Sequence, residues 1–259
     1  MRRLATDYDQ QCRNEFKLLY SRVASYFITI DIGCPYGLPQ VASFHQASFA
    51  PLGERAMELF LASGFRRNGN CLYEMHCREC NACLPIRLNP EEFKPNRNQR
   101  RAWKKNADLE KAIVPLRYDQ ENLELCERFL RARYPIKSNT AAGYYRDFFI
   151  NTIVHSAQIE FRLHGKLLGT SIIDVGYNWI NAVYFFFDPN QGHRSLGTYN
   201  ILHLIQLCRE WEIDYLYLGY LIHNVSAMSY KSRFRPHYIF QDGIWKPGER
   251  YRSLSENSL

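Results

Sequence analysis

Three cysteines, Cys77, Cys80 and Cys83, recur at CxxCxxC spacing, and a basic arm, KPNRNQRR, follows them closely. Thiolates this near one another suit tetrahedral zinc or an iron–sulfur cluster, with Cys71 or Cys34 as a fourth ligand. A structural zinc site ordinarily presents two separated pairs, which this chain lacks. Reduced thiols packing a loop beneath the arm are therefore the favoured reading, and a bound metal is the alternative. The arm itself carries Arg97, Arg100, Arg101, Lys104 and Lys105. Such a cluster suits the phosphates of a polyanion, although a solvated cationic face would have the same composition.

Two other stretches hold groups of chemical interest. After an apolar run ending FFFDP, the segment Gln191–Thr198 contains Arg194, Ser195, Gly197 and Thr198. A glycine turn opening a helix presents backbone N–H groups where phosphates bind, and an ordinary tight turn has the same sequence. Asp188 precedes Pro189, so it is either a turn former or a carboxylate that binds an ammonium and takes its proton.

The elements that must position these groups are those of a folded chain. Of 259 residues, 46% are hydrophobic and 23% charged, which excludes a disordered segment. Aromatics reach 15%, enough to offer stacking surfaces for bases beyond the core's own needs. Lys and Arg number 33 against 26 acidic residues, and the net +7 favours a polyanionic partner. The start, MRRLATDYDQQC, has no apolar core of a leader, and no window is apolar enough to span a bilayer. A cytoplasmic location, thiols in place of disulfides and no membrane partner are expected.

Periodicity places the elements. Residues 1–30 read as mixed, with short ordered pieces near Phe16–Tyr20 and Tyr26–Ile30. GERAMELFLASGF reads as an amphipathic helix capped at Gly64. Strand-like pieces lie at 71–73 and 84–88, and the arm reads as a helix interrupted at Pro95. Helices are expected over 120–134 and 141–152, then strands over 157–163, 167–175 and 179–187. A helix from 194 to about 211 and a strand at 214–218 follow. This order is similar to that of an acyl-CoA N-acetyltransferase (GNAT) core.

Taken together, GFRRNG (64–69), the block from Tyr73 to Arg101, WKKNADL (103–109), VYFFFDPN (183–190), RSLGTYNIL (194–202), YLYLGY (215–220) and MSYKSRFRP (228–236) resemble the arginyl-tRNA–protein transferase family, and its bacterial aspartate/glutamate leucyltransferases in particular. The resemblance implies transfer of an amino acid from aminoacyl-tRNA to the α-amine of proteins beginning with Asp or Glu, marking them for degradation. Leucine is the expected donor residue and arginine the alternative. It also implies an α+β architecture of two lobes. A GNAT-like domain over 111–259, with an antiparallel or mixed sheet and flanking helices, would follow a smaller cysteine-containing domain over 1–110.

The implied reaction needs little help from cofactors. The donor is an activated ester, so no ATP is required, and an α-amine is already neutral in about a tenth of molecules at pH 7. Positioning, oxyanion stabilisation and proton removal remain. The expected site therefore has three parts. Arg97, Arg100, Arg101, Lys104 and Lys105, with Arg194, Ser195, Gly197 and Thr198, would hold the tRNA, and Tyr217 or Tyr220 would stack on its terminal base. Arg66, Arg67, Lys231 and Arg235 would hold the acceptor's acidic side chain. Asp188, Tyr184 and Tyr220 are the catalytic candidates. Competing readings are an acetyl-CoA-dependent acetyltransferase and a non-catalytic nucleic-acid-binding protein.

Overall fold

The computed structural model describes residues 5–135 and 139–248. Helix α1 (Ala5–Val23) is followed by the hairpin β1 (Ile28–Gly33) and β2 (Val41–Ser48). Helix α2 (Glu54–Ala62) leads through Gly64, at φ +89°, into β3 (Arg66–Asn68) and β4 (Cys71–Met75). After the cysteine loop come β5 (Leu84–Leu88), α3 (Arg97–Lys105), β6 (Glu110–Pro115), α4 (Gln120–Arg133) and the short α5 (Ala141–Tyr144). The long strands β7 (Ser156–Leu163), β8 (Lys166–Val175) and β9 (Trp179–Phe187) lead to α6 (Leu196–Glu210) and β10 (Tyr215–Leu221). The described chain closes with α7 (Ser226–Ser229) and the hairpin β11 (Tyr238–Gln241) and β12 (Ile244–Pro247).

These strands make two sheets. The smaller has the order β1-β2-β4-β3, and the larger has the order β12-β11-β5-β10-β9-β8-β7-β6. The larger sheet is mixed, because β9 and β10 run parallel while their neighbours are antiparallel. The fold is thus α+β, with a large mixed sheet flanked by helices. Strand β5 comes from the first 110 residues yet lies inside the larger sheet, between β11 and β10.

The pleat of the larger sheet explains its layers, since successive side chains face opposite sides. Ile180, Leu216 and Leu218 point to the face covered by α3 and α6. Trp179, Tyr215 and Tyr217 point to the other face, where α1 and α2 pack. Further along that second face, α4 and α5 cover Leu167, Ile172 and Phe186. Each fully buried Leu, Ile or Phe contributes roughly 1.5–3 kcal/mol, so these three clusters dominate the stability of the layers. Among the described residues no helix is long and apolar enough to cross a membrane.

The three long strands, α2, α4, α6 and β10 lie close to their expected positions. The N-terminal region differs. Residues 5–23 form one continuous helix, which buries Tyr8 and Cys12 and leaves Leu18 exposed. The expected helix over 141–152 shortens to α5 and a π-turn over Tyr145–Phe149.

One ion pair fastens the small sheet to the large one. Arg67 of β3 donates from Nε and Nη2 to the Asp174 carboxylate of β8, at 2.8 and 2.7 Å, with both side chains fully buried. Its Nη1 donates to the carbonyls of Gly69 and Phe148. Removing one partner of such a pair strands a buried charge. Arg67→Met should therefore cost about 3–5 kcal/mol, read as a lower midpoint in urea denaturation; an unchanged midpoint would exclude this pin.

Candidate functional site

The parallel strands β9 and β10 pair only at Trp179–Tyr215, Ile180–Leu216 and Asn181–Tyr217. Beyond that point they part, which frees backbone groups on both inner edges. The pairing of β10 with β5 also slips between Tyr217 and Tyr220, around Gly219 at φ +85°. A bulge of this kind requires a left-handed residue, which glycine adopts at least cost.

Two cations occupy the fork. Arg66 of β3 donates from Nη1 to Asn181 Oδ1 at 2.7 Å, and its Nη2 reaches the carbonyl of Ala182 at 3.5 Å. Lys231, just after α7, donates from Nζ to the Tyr220 carbonyl at 2.8 Å and to Met228 Sδ at 3.4 Å. A Cβ placed on Gly219 would lie 2.9 Å from Arg66 Nη2 and 3.5 Å from Lys231 Nζ, so both charges converge on this one glycine. Desolvation, and then the adjacent Arg66 guanidinium, lower the Lys231 pKa to about 7.

The other buried arginines are neutralised. Arg67 has Asp174, and Arg87 has Asp9 at 2.7 Å while lying between the rings of Tyr215 and Trp245. Among the described residues, neither Arg66 nor Lys231 has a carboxylate within ion-pair distance. Arg66 is nevertheless 8% exposed, about as buried as those two.

Tyrosines pack beside the fork. Tyr73 and Tyr220 pack with Tyr36, Met75, Cys83 and Met228 on one side. Burial pushes the Tyr220 phenol well up, and neighbouring Tyr73 and Tyr36 reinforce the shift. Its hydroxyl finds no protein partner among the described residues. Tyr184 of β9 packs in the cluster under α4 and α5, its ring 5.3 Å from Phe149 and 5.5 Å from Tyr144, and burial raises its pKa as well.

A second constellation lies at the far end of β9. Asn96 and Gln99 form a reciprocal cap at the start of α3, and the Gln99 amide also donates to the Arg233 carbonyl. Arg97, Arg100, Arg101, Lys104 and Lys105 are exposed beside Trp103, on a helix without an acidic residue. The other end of α3 is clamped to the turn before α6. Lys105 donates to the His193 carbonyl, Asn106 to the Arg194 carbonyl, and Arg194 makes two 2.9 Å bonds to Asp108. Ser195 takes a left-handed φ of 55°, Gly197 faces open space, and the Thr198 N–H bonds to the Ser195 carbonyl. The arm and the glycine turn, far apart in sequence, thus form one surface.

Several expected roles meet other partners. Arg67 is committed to Asp174 and two carbonyls, so it does not join Arg66 in the fork. The Arg235 carbonyl accepts from the Lys94 N–H, which places this residue by the entry to α3. Asp188 caps the turn after β9 by accepting the Asn190 N–H at 3.0 Å, with Lys166 Nζ at 3.7 Å. Seven residues beyond Asn181, it lies about 20 Å along the strand from the amide that holds Arg66. Tyr217 points into the apolar cluster under α1 and is 2% exposed, so its ring offers no platform to a base.

In the cysteine loop, burial and the neighbouring thiols Cys77, Cys34 and Cys80 push Cys83 up to about 12. Cys71 lies in β4, with its thiol 3.5 Å from Gln46 Oε1. No group of three or more His, Cys, Asp or Glu among the described residues converges as metal ligands.

The model of the N terminus of arginine-tRNA-protein transferases matches residues 33–101, and that of the C terminus matches residues 121–241. An aspartate/glutamate leucyltransferase of Methylobacillus flagellatus is 41% identical over 192 residues, covering 73% of this chain and 77% of its own length. That of Chromohalobacter salexigens is 35% identical over 87% of this chain and 94% of its own length. The chain belongs to the arginine-tRNA–protein transferase family. As a member of it, the protein is an aminoacyltransferase. Among solved structures, the C-terminal domain of a putative lysylphosphatidylglycerol synthetase from Agrobacterium fabrum aligns with 94% of this chain and 91% of its own, with TM-score 0.47 and 10% identity.

In this transferase the fork could be found in the sequence only in part. GFRRNG and YLYLGY name Arg66 and Gly219, but only the three-dimensional register shows that they touch. Asn181 was not a candidate, and its signal is a lone polar residue in the apolar run WINAVYFFF. Gly219→Ala should cost at least about 1 kcal/mol from its left-handed backbone alone. It should also displace the Arg66 guanidinium, so transfer activity should fall further than stability does at a temperature where the variant stays folded. Equal, small losses in both would mean that the bulge does not place Arg66.

Proposed function

We propose that the protein transfers leucine from charged tRNA to the α-amine of proteins that begin with Asp or Glu. The observation that carries the acceptor half is the pair Arg66 and Lys231, brought together at Gly219 with no carboxylate partner among the described residues. Such a pair is completed by an acidic side chain and left unbalanced by an amide. The names of the relatives support both leucine as donor residue and acidic N-termini as acceptors.

The large sheet is read as GNAT-like, because its parallel central pair parts after Asn181 and Tyr217 and so opens a cleft between strands. The division into 1–110 and 111–259 is kept as a division of roles. The first region supplies Arg66, the cysteine loop and the arm, and the second supplies the cleft and Lys231. Within the cleft, Tyr220 is the proposed donor to the tetrahedral oxyanion, since its hydroxyl lacks a protein partner among the described residues. Tyr184 lines the opposite wall.

The exposed arm is the proposed tRNA-binding surface, with the clamped turn at Arg194–Thr198 fixing its orientation. Reduced cysteines and transfer without a cofactor are retained in this reading. Because charged tRNA is the donor, the cytoplasm is the proposed location.

The direct test is transfer of radiolabelled leucine or arginine from charged tRNA to proteins beginning with Asp, Glu, Asn or Gln. Leucine should move to Asp and Glu, and the amide counterparts should be poorer by roughly 5- to 150-fold, the equivalent of one unsatisfied buried charge-assisted bond. Arg66→Met should abolish that preference. Transfer of neither amino acid would overturn the proposal.

The arm generates a separate expectation. Replacing Arg97, Arg101 and Lys104 by Gln should weaken binding of any tRNA. The log–log salt slope should flatten by roughly 0.7–0.9 for each phosphate that is no longer neutralised. An unchanged slope in the folded triple variant would place the tRNA elsewhere.

A further inference from the structure

The fork holds two basic groups where burial tolerates at most one charge. A guanidinium keeps its charge in proteins, whereas a lysine amine can shed its proton to relieve the conflict. Lys231 is that lysine. As a neutral amine it has two N–H bonds and one lone pair. The Tyr220 carbonyl and Met228 Sδ accept its hydrogens, at 2.8 and 3.4 Å, and the lone pair is left for a third partner.

From this geometry, and resting on the acceptor reading above, we infer that Lys231 is the proton acceptor for the attacking α-ammonium and that the acceptor's own acidic side chain switches it on. Burial and the Arg66 charge together hold Lys231 neutral; with the side-chain carboxylate seated on Arg66 the second of these is offset by a negative charge, and the amine becomes a stronger base. The α-ammonium gives one proton to the Nζ lone pair. Its freed nitrogen attacks the ester carbonyl carbon of the aminoacyl-tRNA. The bond from that carbon to the ribose oxygen breaks, and the oxygen leaves with a second proton from the attacking nitrogen. The amide keeps the third, and the proton on Lys231 passes to solvent as product departs. Asp and Glu would thus be selected in the chemical step as well as in binding, because an amide side chain leaves Lys231 a weak base.

The surrounding groups leave Lys231 as the one that changes charge. On β3 the neighbour is Arg66. From β10 comes Tyr220, bordered by Tyr73 of β4, Tyr36 of the loop after β1, and Cys83. Burial is the largest cause in each case and raises the pKa of these phenols and of the thiol, outweighing the opposing pull of Arg66 on the phenols, so all stay neutral near pH 8. Tyr230, beside Lys231, is pushed up to about 12 by burial. Burial lowers the pKa of His223, just beyond β10, so it too is neutral there. The free Lys231, at about 7, is mostly unprotonated at that pH. Binding a carboxylate raises its pKa, so a proton is taken up, and the affinity for the acid must fall as pH rises from 7 toward the bound value.

The experiment is titration calorimetry of the full chain with a peptide whose N-terminal residue is replaced by succinate, so that the acidic side chain is present and the amine absent. It is run at about pH 8 in buffers of differing ionisation enthalpy. Wild type should take up nearly one proton per peptide bound, and affinity should fall by up to about tenfold per pH unit above the free pKa. Lys231→Met should bind more weakly with no uptake. Lys231→Arg, permanently charged, should bind with no uptake yet lose transfer to Asp-starting proteins. Binding to wild type without uptake, or equal uptake in Lys231→Met, would overturn the proton role while leaving the acid pocket standing. No binding to wild type would overturn the pocket at Arg66 and with it this role. Leucyl transfer to Asp-starting proteins, assayed in parallel, reports on the transferase reading independently of either.

Discussion

The Asp174 carboxylate is the point on which the site's geometry depends. It accepts two bonds from Arg67, one from Ser156 at 2.6 Å and one from Asn181 Nδ2 at 2.9 Å. With its amide hydrogens so directed, Asn181 turns its Oδ1 to Arg66. A buried carboxylate is costly unless its lone pairs are filled, and here four donors fill them. Those donors come from β3, β7 and β9, the last two flanking β8 on either side. One charge therefore fixes the seam and, through one amide, aims the guanidinium in the fork. Arg66 and Arg67 are adjacent in sequence and identical in chemistry. They differ because one meets the carboxylate and the other meets only the amide that the carboxylate orients.

The bulge at Gly219 brings that guanidinium and Lys231 together. Beyond the slip in register Tyr220 pairs with Pro85, which has no N–H to offer its carbonyl. That carbonyl accepts from Lys231, and at Gly219 no Cβ obstructs Arg66. Holding two basic groups there without a counter-ion is unfavourable for the empty protein. Tolerating this is consistent with a site whose missing charge arrives with the substrate, in the way that strain and imbalance gather at functional positions. Elsewhere in this chain the same residue type is neutralised internally, as Arg87 is by Asp9.

Much of this architecture is written in patterns that a sequence displays. The alternation along 156–187 and the helical spacing of α2, α4 and α6 are local, so they could be read directly. Helix α1 could not, because its buried side is narrow, its flanks are polar, and Phe16, Tyr20 and Tyr8 find their partners on α2, β2 and β10, far along the chain. Strand β1 exposes both faces, and its pairing with β2 is set by a loop whose glycines and prolines signal a turn without a register. At the site, residue types pointed to Arg66, Lys231 and Tyr220. Separating them from Arg67, Asp188 and Tyr217 needed distances, since a cation in a motif looks the same whether it is spent on an internal carboxylate or not.

The cysteine loop and the arm, neighbours in sequence, pack in different parts of the structure. The loop runs from β4 to β5 and packs Cys83 against Tyr73 and Tyr220, at the fork. Strand β5 then crosses to the α6 face, and the arm emerges as α3, clamped to the turn at Arg194. A short strand thus connects the residues that border the proposed acceptor site to the exposed basic helix proposed for the tRNA. The two cationic sites are kept distinct by exposure. On the arm, solvent and salt screen each charge, so many weak attractions add up over a backbone. In the fork, low polarity makes a single missing carboxylate decisive. A polyanion at the exposed helix would have little to gain from the recessed pair, which suits the one small acidic side chain proposed for it.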